Sequence, residues 1–187
     1  NERIFRKIIC DKNTDNDFEF YNKMTINEQK RIIKELREIN KVTRVEKPYR
    51  LSLFGGGTDY PAWFEKNPSK IISAAMANYC WVHVKELPPF FDHTVRVTYS
   101  KTEHKSDASQ IEHPAIRACL QHMGLQKGIS IGHDGDLPAR SGIGSSSAFT
   151  VGLLHALYAY QGRMISKENL AKEAIHVEQN VIGENVG

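Results

Sequence analysis

A glycine- and serine-rich stretch in the second half of the chain has the composition of an anion-binding loop. It runs from Asp136 to Ala148 with the sequence DLPARSGIGSSSA, and the mostly apolar run Phe149–Tyr160 follows it. Gly142 and Gly144 permit tight turns and close approach to a ligand, while the apolar run predicts a helix that begins at the serines. Free N–H groups at a helix start favour anions, phosphate above all. The stretch therefore predicts a phosphate-binding loop.

The three consecutive serines at this helix start add hydroxyl groups, which can donate to phosphate or ligate a Mg²⁺ ion carried with it. No Gly-Lys-Ser/Thr follows, so the loop is not a Walker A loop. Three other interpretations stay open: an incomplete dinucleotide fingerprint at Gly142-Ile-Gly144, a degenerate nucleophile elbow at Ser146, and an ordinary Ser cap. The first two are disfavoured, because a turn sequence rather than a hydrophobic strand leads into the serines.

A carboxylate on the last predicted helix is the second candidate for chemistry. Ser166 caps this helix, which runs to about Ile182, and on a 3.6-residue wheel Glu178 lies in the middle of the apolar face. The apolar residues around it on the wheel are Ala171, Ala174, Ile175, Val181 and Ile182. An isolated carboxylate is costly there, and a Mg²⁺ held between it and the serines would satisfy it. A structural salt bridge or a rim position is the alternative, and Glu173 and His176 are predicted to be solvated.

A run of three glycines is the third candidate. Gly55-Gly-Gly-Thr-Asp-Tyr60 follows the alternating run Tyr49–Phe54, which reads as a strand. The alternation places Arg50, Ser52 and Phe54 on one face, and Leu51 and Leu53 on the other. Three glycines allow a backbone that lies flat against a ligand, with Asp59 at the far side of the loop. A tight turn alone accounts for one or two glycines, but less readily for three.

The remaining elements form an alternating set of strands and helices. Further strands are predicted at 42–46, 79–85, 95–99 and 128–132, and helices at 113–123, 145–160 and 166–182, with a polar connection at 101–110. The sequence pattern of residues 1–40 differs from that of the rest of the chain: a polar loop is followed by apolar residues at helical spacing that end near Asn40. We interpret them as an N-terminal extension or the tail of an upstream domain, and residues 41–187 as one domain.

Composition limits the class of protein. A hydrophobic content of 40% over 187 residues is enough for one sizeable core. The net charge of +3 is spread along the chain without a basic block, so neither nucleic acid nor membrane is expected as a partner. Three cysteines without metal-ligand spacing fit a reduced compartment, and no signal peptide or transmembrane run is present. We therefore expect a cytoplasmic protein, and a start without Met suggests a fragment of a longer one.

Two motifs, taken together and in this order, resemble the GHMP small-molecule kinases (galacto-, homoserine, mevalonate and phosphomevalonate kinases). The first is KPYRLSLFGGGTDY at Lys47–Tyr60, and the second is PARSGIGSSSA at Pro138–Ala148. The triple-glycine form of the first motif, together with the sequence of residues 145–174, looks most like the branch that contains D-glycero-D-manno-heptose 7-phosphate kinase. The resemblance extends from Val42 to Gly187.

The resemblance implies a two-layer α+β fold, the ribosomal-protein-like sandwich of a GHMP kinase N-terminal ATP-binding domain, with a mixed sheet that is mostly antiparallel. The second, ferredoxin-like domain of the family and the catalytic Asp of its sugar kinases would lie beyond Gly187. We therefore expect the 187-residue chain on its own to be inactive or nearly so.

The resemblance also implies an ATP- and Mg²⁺-dependent transfer of the γ-phosphoryl group to a sugar hydroxyl, most specifically the C1 hydroxyl of heptose 7-phosphate. By position in the motifs, Arg50 would lie near the transferring phosphate, and Ser146 and Glu178 would ligate Mg²⁺. The residues that would contact the sugar are Gly56, Gly57, Thr58, Asp59 and Tyr60. The residues that would hold ATP are Pro138, Arg140, Ser141, Gly142, Ile143, Gly144, Ser145, Ser146 and Ser147.

Three alternatives remain at this point. Another GHMP kinase, of the fucose or galactose type or one acting on an isoprenoid or amino-acid alcohol, would use the same loop, although Asp59 favours a polyhydroxyl substrate. A non-catalytic nucleotide- or sugar-binding module would keep the fold and lack turnover. A serine hydrolase would use Ser146 without Mg²⁺. The expected partner is a small sugar or sugar phosphate, and a homodimer is left open.

Overall fold

The computed structural model describes residues 25, 27, 42–53, 61–68, 70–138 and 143–183. The strands are β1 Thr43–Leu53, β2 Ile72–Glu86, β3 Val95–Thr98, β4 Thr102–Lys105 and β5 Ile129–Gly135. The helices are α1 Pro61–Phe64, α2 Pro114–His122, α3 Ser145–Tyr160 and α4 Lys167–His176, with a 3₁₀ turn at Ala108–Gln110 and a π-helical turn at Val177–Ile182 that continues α4.

The five strands form one mixed sheet in the order β1-β2-β5-β3-β4. All neighbours pair antiparallel except β3 and β5, which are parallel. The parallel pair requires a crossover, and α2 lies in the connection that leads from the β3–β4 hairpin back to β5. A mixed sheet that is mostly antiparallel was expected, and it is confirmed.

Helix α3, with α2 and α4 packed against it, covers one face of this sheet and makes the second layer. Along β2 the side chains of Cys80, Val82 and Val84 are fully buried beneath the helices. Helix α3 lies on β1 and β2 and also contacts α2 and α4, which explains why its sequence is apolar nearly all round. At Gly152 a Cβ would stand 3.3 Å from Lys47 Cγ, so the absence of a side chain lets α3 approach the sheet closely.

Strand β1 is one continuous strand, whereas the sequence suggested two. Its register against β2 shifts between Pro48 and Arg50, and Pro48 is tolerated because β1 lies at the edge of the sheet. The predicted alternation beyond the shift is present, but the leucines are the outward-facing residues. Leu51 is 46% exposed and Leu53 is 50% exposed.

Strand β4 was missed by the sequence analysis, which assigned residues 101–110 to a polar connection. Thr102–Lys105 pairs with Val95–Thr98 at the far edge of the sheet. Charged side chains are typical of edge strands, where they discourage pairing with another chain, so this strand lacks the apolar alternation used to recognise the others. Pro61–Phe64 is a short helix that is absent from the predicted elements.

Within the described residues, no helix has the length and apolar character needed to span a membrane. The helix predicted to end near Asn40 lies outside the described residues, apart from two isolated positions. The boundary between an N-terminal extension and the domain accordingly stays a prediction.

Candidate functional site

The start of α3 is an open helix N-terminus, as the sequence predicted. Gly144 is the N-cap and has a left-handed backbone conformation with φ of 70°, which a residue with a Cβ adopts only with strain. A glycine cap offers no side chain to the first turn. The N–H groups of the first turn, which Ser145, Ser146 and Ser147 contribute, have no intrahelical acceptors, and a helix start of this kind favours an anion.

The hydroxyl of Ser146 faces the carboxylate of Glu178. Ser146 Oγ donates to Glu178 Oε1 over 3.5 Å, the outer limit of a hydrogen bond. Glu178 is only 5% exposed, so the wheel argument correctly predicted a buried carboxylate. Two oxygen groups predicted separately from sequence are therefore adjacent, at the positive end of the α3 dipole.

The surroundings of Glu178 differ in part from the wheel. Glu178 belongs to the π-helical turn that follows α4, where i→i+5 hydrogen bonds place more residues in each turn than the α-helical wheel assumes. Val181, which belongs to this turn, is consequently about half exposed. Ile175 belongs to α4 and is also about half exposed, so the buried face of that helix is narrower than the wheel predicted. The buried residues of this face are Leu170, Ala174 and Val177.

Helix α2 packs against the π-helical turn and places Cys119 near Glu178. The Cys119 thiol is fully buried, and burial, with a smaller contribution from the negative charge of Glu178, raises its pKa to about 12. The thiol is therefore neutral and acts as a packing group. Sequence reasoning gave Cys119 no part in the site, because nothing local indicates that α2 contacts the π-helical turn.

Arg50 approaches the same helix start from β1. Its backbone N–H donates to the carbonyl of Ile143 over 3.1 Å. An ideal Cβ at Gly144 would lie 3.7 Å from both Cβ and Nε of Arg50, so the arginine side chain passes directly beside the helix cap. The arginine of the first motif and the serines of the second are thus brought together.

The first residue after β5 joins the loop to β2. Asp136 Oδ2 accepts from the backbone N–H of Tyr79 over 2.6 Å, and Asp136 Oδ1 accepts from the indole N–H of Trp81 over 3.2 Å. The backbone N–H of Asp136 donates to the carbonyl of Tyr79 over 3.0 Å. From the sequence, Asp136 was identified only as the first residue of the loop, and no role was predicted for it.

Glu173 is not the solvated residue that the wheel predicted. Both of its carboxylate oxygens accept from the Tyr158 hydroxyl at 2.8 Å, and Oε2 lies 3.3 Å from Nε2 of His122. This carboxylate therefore links α4 to α2 and α3, which carry the other two walls of the site.

Several predicted site residues lie outside the described residues. They are Gly56, Gly57, Thr58, Asp59 and Tyr60 of the first motif, and Arg140, Ser141 and Gly142 of the second. Pro138 is described and lies exposed where the loop leaves β5. The predicted roles of all these residues stay predictions.

The Ser146 hydroxyl and the Glu178 carboxylate fit a Mg²⁺ ion that is shared with phosphate better than they fit a metal ion whose ligands all come from the protein. Among the described residues, no group of three or more His, Cys, Asp or Glu side chains could hold a metal ion. Mg²⁺ is commonly bound by one or two carboxylates together with phosphate oxygens and water. One buried carboxylate and one hydroxyl beside an anion-binding helix start form such a partial set.

Comparison with known proteins gives a family match that contains the serines of α3 and Glu178, but not Arg50. Residues 110–187 match the family described as GHMP kinases N terminal domain, a stretch that includes α2, β5, α3 and α4. The match covers less than half of the chain. Together with the observed α+β fold it agrees with the resemblance to the GHMP kinases, and the predicted fold class is confirmed. No curated protein matches the sequence.

Solved structures of several small-molecule kinases share the fold. A D-glycero-D-manno-heptose 1-phosphate kinase from Bacteriodes thetaiotaomicron is 22% identical with a TM-score of 0.65, over 79% of this chain and 51% of that one. A mevalonate kinase from Methanococcus jannaschii is 18% identical with a TM-score of 0.58, over 78% and 49%. The Lactococcus lactis galactokinase in complex with galactose is 16% identical with a TM-score of 0.58, over 86% and 43%. The chain spans about half the length of these proteins, and the likeness is one of fold.

Proposed function

We propose that the chain is the ATP-binding half of a kinase that transfers the γ-phosphoryl group of ATP to a hydroxyl of a sugar or sugar phosphate. The observation that carries the proposal is the contact of Ser146 with the buried Glu178 at the uncapped start of α3. Phosphoryl transfer requires mainly positioning and neutralisation of charge on the phosphate oxygens. Helix-start amides, an arginine and a metal-binding carboxylate supply those requirements.

Each element has a part in this proposal. The N–H groups and hydroxyls of Ser145, Ser146 and Ser147 bind the phosphates of ATP, and Arg50 approaches the transferring group. Ser146 and Glu178 would hold Mg²⁺, which would neutralise charge on the phosphate oxygens. The acceptor hydroxyl oxygen then bonds to the γ-phosphorus while the bond between that phosphorus and the β,γ-bridging oxygen breaks; the hydroxyl proton passes to a base or to solvent, and ADP leaves.

The acceptor we propose is heptose 7-phosphate, phosphorylated on its C1 hydroxyl. The triple-glycine motif with Asp59 supports a polyhydroxyl acceptor, and the solved protein with a TM-score of 0.65 is named as a heptose 1-phosphate kinase. A galactokinase and mevalonate kinases share the fold at similar identity, so the acceptor has to be measured. We also propose a cytoplasmic location, where ATP and sugar phosphates are available.

The experiment measures ADP release by the full-length protein with a panel of acceptors: heptose 7-phosphate, galactose, fucose, mevalonate and homoserine. Each is tested with and without Mg²⁺. We expect turnover with the heptose phosphate that depends on Mg²⁺. Turnover confined to mevalonate or homoserine would contradict the proposed acceptor but not the proposed phosphoryl transfer. ATP binding without transfer to any acceptor would contradict the phosphoryl transfer itself.

A further inference from the structure

The loop between β5 and α3 is tied to the sheet at its start by one carboxylate. The ladder between β5 and β2 ends at Gly135, which pairs with Cys80, and Asp136 is the first residue beyond it. Its two carboxylate oxygens accept from two different donors on β2, the Tyr79 amide and the Trp81 indole. Together with the Asp136 N–H bond to the Tyr79 carbonyl, three hydrogen bonds hold this one residue.

The end of the same loop is tied to the neighbouring strand. The carbonyl of Ile143 accepts from the Arg50 N–H on β1, one residue before the cap of α3. Since β1 and β2 are adjacent in the sheet, the two attachment points lie on one rigid base. The loop thus spans from Asp136 to Ile143 with both ends fixed to paired strands.

Tyr49 forms the base beneath the start of the loop. A Cβ at Gly135 would stand 2.3 Å from the Tyr49 hydroxyl oxygen, so the glycine allows the tyrosine to lie directly against the end of β5. Tyr49 is almost fully buried, and burial, followed by the nearby Cys80 and Asp136, raises its pKa. A neutral, packed phenol therefore supports the strand end from which Asp136 projects.

We propose that Asp136 is a positioning residue for nucleotide binding, which fixes the start of the phosphate-binding loop on β2 before ATP arrives. This inference rests on the proposed function. Asp136 itself is exposed and contacts the loop's base instead of the serines, so it acts through the loop. Fixing a loop in advance lowers the conformational entropy lost on binding and so improves affinity. Substitution of Asp136 should therefore weaken the binding of ATP and leave the rate of the chemical step largely unaffected.

Three variants of the full-length protein separate the contributions. Asp136→Ala removes both side-chain hydrogen bonds, Asp136→Asn keeps one acceptor, and Trp81→Phe removes only the indole donor. Asp134→Asn is the matched control, because Asp134 lies on the same strand two residues earlier, is exposed, and loses the same charge. The measurements are kcat, the KM for ATP, and amide hydrogen exchange of the 136–147 segment without nucleotide.

Loss of hydrogen bonds to a charged acceptor predicts a KM for ATP raised roughly tenfold in Asp136→Ala, with kcat nearly unchanged. Asp136→Asn and Trp81→Phe are expected to lie between this variant and the wild type, and Asp134→Asn to match the wild type. Exchange should quicken in the 136–147 segment while the protection of β2 and the body of α3 is retained.

Two results would overturn the inference. One is a KM for ATP in Asp136→Ala equal to that of the wild type, and the other is faster exchange throughout the domain, which would show a structural role only. The exchange measurement needs no turnover. If the wild type neither binds nor uses ATP, the proposed function fails. Hydrogen exchange of the loop still tests the role of Asp136 in that case, because unchanged exchange in Asp136→Ala would show that Asp136 does not order the loop.

Discussion

Ser146 Oγ and Glu178 Oε1 lie 3.5 Å apart although 32 positions separate the two residues. One stands in the first turn of α3, and the other in the π-helical turn beyond α4. Because π-helical turns are frequent at functional sites, and the first turn of α3 is a helix start that favours anions, we place this contact at the centre of the proposed active site.

The carboxylate of Glu178 is expected to be essential for turnover. Glu178→Gln keeps the size of the side chain and removes its charge, so it should lower kcat by at least about 100-fold and weaken the dependence on Mg²⁺. The measurement is steady-state turnover across a Mg²⁺ titration, together with thermal unfolding to verify the fold.

Glu168→Gln is the control for this substitution. Glu168 lies in the first turn of α4, exposed, and pairs only with Lys172 one turn along among the described residues. It should keep the activity of the wild type. Equal losses in the two variants would mean that general changes to α4, and not the contact with Ser146, determine the rate.

The left-handed conformation of Gly144 predicts a specific cost for a side chain there. Gly144→Ala should lower the free energy of unfolding by about 1–2 kcal/mol because of backbone strain, and also raise the KM for ATP because the cap contacts Arg50. Gly162→Ala is the matched control, since Gly162 has a φ of 71° just beyond the other end of α3 and open space around it. It should lose similar stability and keep its KM; a raised KM in both variants would assign the effect to stability.

Glu103 predicts a dependence of stability on pH. It is 4% exposed, and although burial acts to raise its pKa, hydrogen bonds from the Glu112 amide and the Tyr99 hydroxyl hold the pKa of Glu103 below its ordinary value. The stabilisation is therefore present above the ordinary pKa of about 4.3 and is lost as the pH falls through the lower, folded-state pKa.

Denaturant unfolding of the wild type and Glu103→Gln between neutral and acidic pH measures this effect. The wild type should be more stable at neutral pH by about 1–3 kcal/mol, and the difference should shrink as the pH falls below the ordinary pKa. A difference independent of pH would show that the hydrogen bonds do not depend on the charge of Glu103.

The two described cysteines predict low reactivity. Cys80 and Cys119 are fully buried, and burial raises the pKa of each thiol to about 12, whereas alkylation requires an accessible thiolate. Mass spectrometry after treatment with iodoacetamide should find both unmodified in the native protein and modified after unfolding. Rapid native labelling of Cys119 would contradict the packing of α2 against the π-helical turn.

The parts of the site that could be predicted from sequence are those with local patterns. Glycines and serines before an apolar run indicated the start of α3, and helical spacing indicated that Glu178 is buried. The wheel failed for Val181 because a π-helical turn changes the residue spacing, which the composition does not indicate. It failed for Ile175 because apolar spacing does not show how far the covered face of α4 extends. The contact of Asp136 with Trp81 spans 55 positions and depends on strand pairing, so no local pattern could reveal it.

The same reasoning explains the errors in the fold. Five predicted strands correspond to four of the observed ones, because two of them belong to β1. Alternation marks a half-buried strand, whereas Thr102–Lys105 is a polar edge strand without that pattern and was therefore missed. The break placed before Tyr49 reflects Pro48, which an edge strand tolerates. Leu51 and Leu53 show that alternation indicates two faces and does not indicate which of them is covered.

The most direct test of the central claim is a double-mutant cycle on Ser146 and Glu178 in the full-length protein. Turnover of ATP with the accepted sugar is measured for Ser146→Ala, Glu178→Gln and the double variant across a Mg²⁺ titration. If the two groups hold one metal ion, the losses will be strongly non-additive, and the double variant will be little worse than Glu178→Gln alone. Losses that simply add, or variants that keep the Mg²⁺ dependence of the wild type, would contradict a shared metal site at the start of α3.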